Sequence, residues 1–226
     1  HQKIFNSFKK IYKSMLKTLF LNPPSYNGYD GGAGSRYQCT REVKSFWYPT
    51  WLAQLAALVE GSRLVVAPAR GLTVDDILPM AKEYEFLVLY TSTPSFPNDV
   101  KIAEAFKNKN PKLIIGFCGA HVAVNPDHSI LASDAIDFVA GNEFDFTIKE
   151  IAEGNSLENI DGLVYKKNGV PIHNKPRAII EDMDSLPWVT KIYKDNLVTT
   201  DYYNGYMLHP YMSFYTGRGC KSHCSF

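Results

Sequence analysis

The chain has 226 residues, 45% of them hydrophobic and 21% charged, with a formal net charge of +1 at pH 7. That length can bury one core of ordinary size plus an extension, and the near-neutral balance offers no electrostatic footprint for nucleic acid. Four cysteines, with Cys39 and Cys118 isolated, are too sparse for a secreted disulfide framework, so a cytoplasmic setting is expected, and no apolar run approaches the ~20 residues that cross a bilayer.

Residues 1–17 mix Lys3, Lys9, Lys10, Lys13 and Lys17 with Phe8, Ile11, Tyr12, Met15 and Leu16. An amphipathic helix making peripheral membrane or partner contact would have this pattern. So would a native leader or tag remnant with a solvated basic face, which the first residue, His1, favours.

From 18 to 154 short apolar runs alternate with amphipathic stretches, the pattern of βα units winding a parallel sheet. Strands are expected at 18–21, 63–67, 86–90, 112–117 and 135–140, and helices at 51–59, 74–84, 100–107 and 144–153, with a weaker helical turn at 128–132. The expected architecture is therefore an α/β, doubly wound, five-stranded parallel sheet. In such sheets the ligand lies beyond the carboxyl ends of the strands, where the winding reverses. The loops at those ends carry Asn22, Pro23, Pro24, Ser25 and Tyr26; Thr91, Ser92 and Thr93; Cys118, Gly119, Ala120 and His121; and Gly141, Asn142 and Glu143. Small and hydroxyl-bearing residues let backbone approach a large flat ligand and bond to its rim. Alternatively, Gly and Pro punctuate turns and His121 opens a helix. Neither a phosphate-cradling G-x-x-x-x-G-K-[ST] loop nor a G-x-G-x-x-G follows the first strand, which counts against nucleotide ligands.

Residues 155–210 leave the winding pattern. A hairpin is expected over 162–173 with its turn at Asn168 and Gly169, and 182–187 reads as a linker. Residues 211–216 then read as a buried strand, Gly217, Arg218 and Gly219 as a flexible turn, and Cys220 and Cys224 as a C-x3-C pair. Thiolates on one short loop after a strand suit an iron-sulfur cluster. A partial zinc site with His209 and His223, or two reduced structural thiols, are the other readings.

The terminal run resembles the C-x3-C-x2-C loop of the radical S-adenosylmethionine (SAM) superfamily, in which three thiolates hold a 4Fe-4S cluster whose fourth iron chelates SAM. Its third ligand would fall at the position after Phe226. The segment 18–154 is similar to the cobalamin-binding domain that precedes the radical SAM barrel in one branch of that superfamily, through Asn22-Pro23-Pro24, Tyr48-Pro49, the turn from Gly116 to His121 and that at Gly141-Asn142-Glu143. Cys118 replaces the first glycine of the family's G-G-x-H turn, and Asn142 interrupts its G-E turn. No D-x-H-x-x-G occurs, so a histidine on cobalt from that motif is not expected. Stretches 30–38, 46–54, 91–96 and 214–220 further resemble the radical SAM proteins of hopanoid biosynthesis.

The resemblance implies cobalamin as ligand of the four loops, and Cys220 and Cys224 as metal ligands. It implies a 5′-deoxyadenosyl radical generated in the complete enzyme, and a small-molecule or lipid-linked sugar substrate in hopanoid side-chain (cyclitol ether) formation. It divides the chain into a leader (1–17), a cobalamin-binding-like domain (18–154), a hairpin and linker (155–210), and the first strand and cluster loop of a truncated radical SAM barrel (211–226), a fragment expected to be inactive alone. In that frame Tyr202, Tyr203, Tyr206 and Tyr211 face the barrel, although a tyrosine-rich satellite of the core is as economical. A non-catalytic cobalamin sensor or carrier module is the alternative function.

Overall fold

The computed structural model describes residues 15–26, 47–204, 207–220 and 222. Strands buried on both faces are near-continuous apolar runs. Five runs of this kind form β1 (Thr18–Asn22), β2 (Arg63–Val66), β3 (Phe86–Tyr90), β4 (Ile114–Cys118) and β5 (Phe138–Ala140), all parallel. The sheet has seven strands, however, and not five. The hairpin strands β6 (Leu163–Lys167) and β7 (Val170–His173) extend it antiparallel in the order β2-β1-β3-β4-β5-β6-β7. Asn168 and Gly169 both have positive φ, 54° and 77°, as a tight hairpin turn requires. The expectation that the sheet ended with the winding pattern missed that β5 has an open edge, which Leu163, Val164 and Tyr165 satisfy by pairing with Ala140, Val139 and Phe138.

Helices cover both faces. They are α1 (Thr50–Leu58), α2 (Ala67–Arg70), α3 (Val74–Ile77), α4 (Phe96–Lys109), α5 (Ala120–Val124), α6 (Pro126–Leu131), α7 (Asp145–Ala152) and α8 (Thr190–Asn196). The stretch expected as one helix from 74 to 84 is α3, started by a reciprocal Thr73–Asp76 capping box, followed by a 3-10 segment (Leu78–Lys82). Helix α4 starts earlier than expected because Pro97 is tolerated in a first turn; Asp99 near its start and Lys107 and Lys109 near its end match the helix dipole.

The two-residue period of the strands divides the core. Phe20, Leu64, Val66, Phe86 and Val88 pack with α1 and α7 on one face, while Leu19, Leu21, Val65, Leu87 and Leu89 pack with α4 and α6 on the other. Gly116 of β4 lies opposite Phe138, whose ring fills the space a side chain there would need: a Cβ on Gly116 would stand 1.9 Å from Phe138 Cζ.

After β7 the chain returns to the α1 face. Helix α8 rests on α1 and β2, and Asn196 Oδ1 accepts the Leu64 amide on the edge strand, where no neighbouring strand would take it. Tyr202 and Tyr211 are buried in a cluster with Tyr48 and Tyr193, with ring centroids 4.7, 4.5 and 5.4 Å from Tyr48 for Tyr193, Tyr202 and Tyr211. They are thus a satellite of this core rather than a surface kept for a second domain. Tyr203 is partly exposed, and Tyr206 lies outside the described residues.

The buried strand expected over 211–216 is not one. Apart from Tyr211 the segment is open to solvent or nearly so and has no regular structure. Two of its carbonyls are taken by side chains: Tyr48 Oη donates to the Tyr211 carbonyl at 2.8 Å, and Tyr193 Oη lies 3.1 Å from that of Ser213. An apolar run becomes a strand only where a ladder is offered, and here tyrosine hydroxyls take that place.

Candidate functional site

The parallel register brings the carboxyl ends of the strands to one edge. Asn22 is level with Val66, Leu21 with Leu89, Tyr90 with Cys118, and Cys118 with Ala140. The winding reverses between β1 and β3, because β2 lies to one side of β1 and β3 to β5 lie on the other.

The loops singled out in the sequence divide among different surroundings at this edge. Pro23 and Pro24 are buried, and the loop after β1 is clasped to α4: Asn98 Oδ1 accepts the Tyr26 amide at 2.9 Å while Asn98 Nδ2 donates to the Pro24 carbonyl at 3.1 Å. Pro24, Ser25 and Tyr26 line one groove of about 580 Å³ with Pro68, Thr73 and Asp75. In the loop after β3, Thr91 is buried, Ser92 and Ser95 bond to each other, and Ser95 Oγ donates to Asp99 Oδ2, closing the start of α4.

His121 lies on the α4 side. Its Nδ1 is 3.1 Å from Thr93 Oγ1 and its ring is 4.2 Å from that of Phe96, while Nε2 is buried with no hydrogen-bond partner among the described residues. Burial, seconded by nearby His128, lowers its pKa below the ordinary histidine value.

Gly119 and Ala120, with Asn142 and Glu143, meet at a second cavity of about 510 Å³ at the ends of β4 and β5. Gly119 is a glycine for a local reason. Its φ is +112°, and a Cβ would come within 2.5 Å of the Thr91 carbonyl oxygen, so β4 turns into α5 in close contact with the loop after β3. Asn142, too, has positive φ, 53°. Cys118, beneath Gly119, is fully buried, and its thiol pKa is pushed well up by burial, with the Asp145 carboxylate adding to it. It is an inert thiol in this setting.

The same cavity is walled by Trp51, Tyr90, Phe144, Arg177 and Arg218, none of which the sequence singled out as site residues. Trp51 and Tyr90 rings are parallel with centroids 6.4 Å apart, and burial pushes the Tyr90 phenol up to about 12. Arg218 reaches back from the C-terminal segment. It makes a two-pronged ion pair with Asp145, with Nη1 to Oδ2 at 2.6 Å and Nη2 to Oδ1 at 3.0 Å. Nη1 also lies 3.3 Å from Glu143 Oε2, and the guanidinium sits 5.1 Å from the Trp51 ring. A signal was present in the sequence: an acidic pair spaced E-x-D at a strand end and an arginine between glycines just before a cysteine.

Gly219 lines the cavity, and Cys220, the next residue, is an exposed free thiol whose pKa is lowered by the Ser222 backbone amide donating to its sulfur at 3.4 Å. Cys224, the other expected metal ligand, lies with His223 outside the described residues, as does Cys39. His209, named in the zinc reading, stacks on Tyr203 at 4.8 Å. Among the described residues no group of three or more His, Cys, Asp and Glu side chains is disposed to hold a metal ion, and no helix is long and apolar enough to cross a membrane. The basic leader, through residue 14, is outside the described residues.

No family profile matches the chain. An uncharacterized methyltransferase of Pyrococcus horikoshii is 30% identical to it over 187 residues, covering 79% of this chain and 40% of that protein. In fold this chain is similar to the radical S-adenosylmethionine methyltransferase TsrM from Kitasatospora setae, a structure with cobalamin and a 4Fe-4S cluster bound. That likeness has a TM-score of 0.53 and 13% identity, over 76% of this chain and 31% of that one. The chain thus spans two-fifths or less of the length of each of these proteins.

Proposed function

We propose that this chain is the cobalamin-binding part of a radical SAM enzyme of the methyltransferase type, with Cys220 and Cys224 as two of three thiolate ligands of a 4Fe-4S cluster. The observation that carries the reading is the seating of Arg218 and Gly219 on the rim of the cavity at the strand ends. Cys220 is the next residue in the chain, and the Arg218–Asp145 ion pair ties the segment before it to the start of α7. The relative's and the fold neighbour's descriptions as methyltransferases support the same class.

The cavity residues suit a large flat ring with polar edges. Gly119, Ala120 and Ala123 leave room for it, Trp51, Tyr90 and Phe144 offer apolar walls, and Asn142 and Arg177 offer polar contacts at the rim. When bound, cobalamin supplies a cobalt centre for group transfer, and the cluster with SAM supplies a 5′-deoxyadenosyl radical. This chain's own residues hold and orient: the aromatic wall keeps water from one side of the cavity, and the rim fixes the cysteine segment. Cobalamin is expected to bind with no protein histidine on cobalt.

Absorbance titration with hydroxocobalamin tests the reading. The wild type should show a saturable spectral change, and Ala120→Trp, which fills the cavity from an exposed position without backbone strain, should weaken it by about tenfold or more. Equal titration curves for both proteins would refute the site. The reading frame past Phe226 separates enzyme from carrier, since the enzyme needs a cysteine at the next position and a cobalamin sensor or carrier does not.

A narrower assignment, to the HpnJ type of hopanoid biosynthesis with a lipid-linked sugar substrate, rests on the four similar stretches, of which 30–38 lies outside the described residues. Product analysis distinguishes it: a methylated product supports methyl transfer, and a ring-contracted cyclitol the hopanoid step.

A further inference from the structure

Residues 211–220 have no regular structure, yet the two that flank the cavity rim, Arg218 and Gly219, are held in place. The hold is ionic and planar. Asp145 is the first residue of α7 and its side chain is 1% exposed; it faces Arg218, 12% exposed, through both carboxylate oxygens, with Glu143 as a third point and Trp51 beneath the guanidinium. A carboxylate at a helix N-terminus is favoured by the helix dipole, and a guanidinium fork fixes direction as well as distance, which a lysine would not do. Upstream, the segment is held at the Tyr211 and Ser213 carbonyls by tyrosine hydroxyls.

We infer that Arg218, clamped by Asp145 and Glu143, is a positioning residue that sets the distance and direction of the cysteine loop relative to the cavity. In this assignment the Glu143 carboxylate serves the clamp rather than the ligand. The inference rests on the proposed function for its purpose, but the clamp has a consequence that needs no cofactor. A flexible turn of glycines would let Cys220 wander, whereas an arginine pinned two residues before it leaves one short, defined reach.

The experiment has two readouts. In the chain without cofactors, the backbone amide order parameters of residues 218–220, measured by nitrogen-15 relaxation, should fall from about 0.85 to below about 0.6 in Asp145→Asn, the change expected when a tether is released, while those of β3 stay as in wild type. Glu143→Gln should show a smaller fall, and Asp145→Glu should restore order in part. If Asp145→Asn fails to fold, Arg218→Lys takes its place, with the same fall expected. Wild-type order parameters in the folded variant overturn the clamp.

In the parent protein loaded with cobalamin and cluster, the electron-resonance spectrum of the cobalt(II), reduced-cluster form reads their mutual separation. Magnetic coupling present in wild type should be lost or reduced in the clamp variant although both groups are bound. Unchanged coupling overturns the positioning role. A wild type that binds no cobalamin or assembles no cluster would instead defeat the proposed function and leave the relaxation result standing on its own.

Discussion

At the scale of single residues the site is shaped by what cannot be there. Gly119 has no freedom to be anything else: its φ of +112° and the Thr91 carbonyl 2.5 Å from where a Cβ would lie mean that any substitution strains the β4–α5 turn before it touches a ligand. Its neighbour Ala120 is the cleaner probe of the cavity for that reason. His121 carries a pH dependence whose sign is fixed by its surroundings. Burial lowers its pKa in the folded chain below the ordinary value of 6.5, so above that value it is neutral folded or unfolded and its contribution to stability is complete. As the pH falls below 6.5 towards the folded pKa, the unfolded chain takes up the proton more readily and stability is lost. The His128 ring, its centroid 6.2 Å from that of His121, adds to the lowering. Urea unfolding of wild type and His121→Gln at several pH values should therefore show the wild type losing stability more steeply between pH 6.5 and 5. Parallel slopes would mean that the imidazole is not held neutral by the fold.

Among the elements, the tyrosine cluster explains how a segment without regular structure is fixed. Tyr193 is fully buried on α8, its hydroxyl 3.0 Å from Thr50 Oγ1 and 3.1 Å from the Ser213 carbonyl, and burial pushes its phenol up to about 12. The hydroxyl joins α8, the start of α1 and the C-terminal segment. Tyr193→Phe keeps the ring and removes both contacts, which should cost about 1–2 kcal/mol of stability. The loss should be accompanied by lower backbone amide order parameters at 212–216 and unchanged ones in β1, β3 and β4. A uniform fall would show that the hydroxyl supports the whole domain and not this attachment.

At the scale of the whole molecule, the hairpin and α8 belong to the same body as the parallel sheet. Tyr165 of β6 is buried on the α1 face, opposite Phe138 of β5, which in turn covers Gly116 of β4. Tyr165→Ala should therefore lower the stability of the whole described body by about 3 kcal/mol in a single unfolding transition. A first transition confined to the hairpin, seen by denaturation monitored at two probes, would instead mark 155–210 as an appendage.

The five parallel strands were legible in the sequence because apolar runs buried on both faces leave a local mark, and so was the hairpin turn, because Asn168 and Gly169 meet a backbone requirement within two residues. The strand-end loops were legible as turns. Which of them share a cavity was not, since that depends on registry between strands dozens of residues apart: Gly119 and Ala120 join Asn142 and Glu143, while Pro24 to Tyr26 line a different groove. Residues 211–216 show the opposite case, an apolar run that reads as a strand and is not one, because pairing is a property of the neighbour as much as of the segment. Arg218 between two glycines reads as part of a flexible turn. Only the fold brings it to Asp145, 73 residues earlier in the chain, and turns that flexible stretch into a fixed support for Cys220. Local patterns determine the elements, whereas long-range charge pairing and side-chain hydrogen bonds, which have no period in the sequence, decide how the site is assembled.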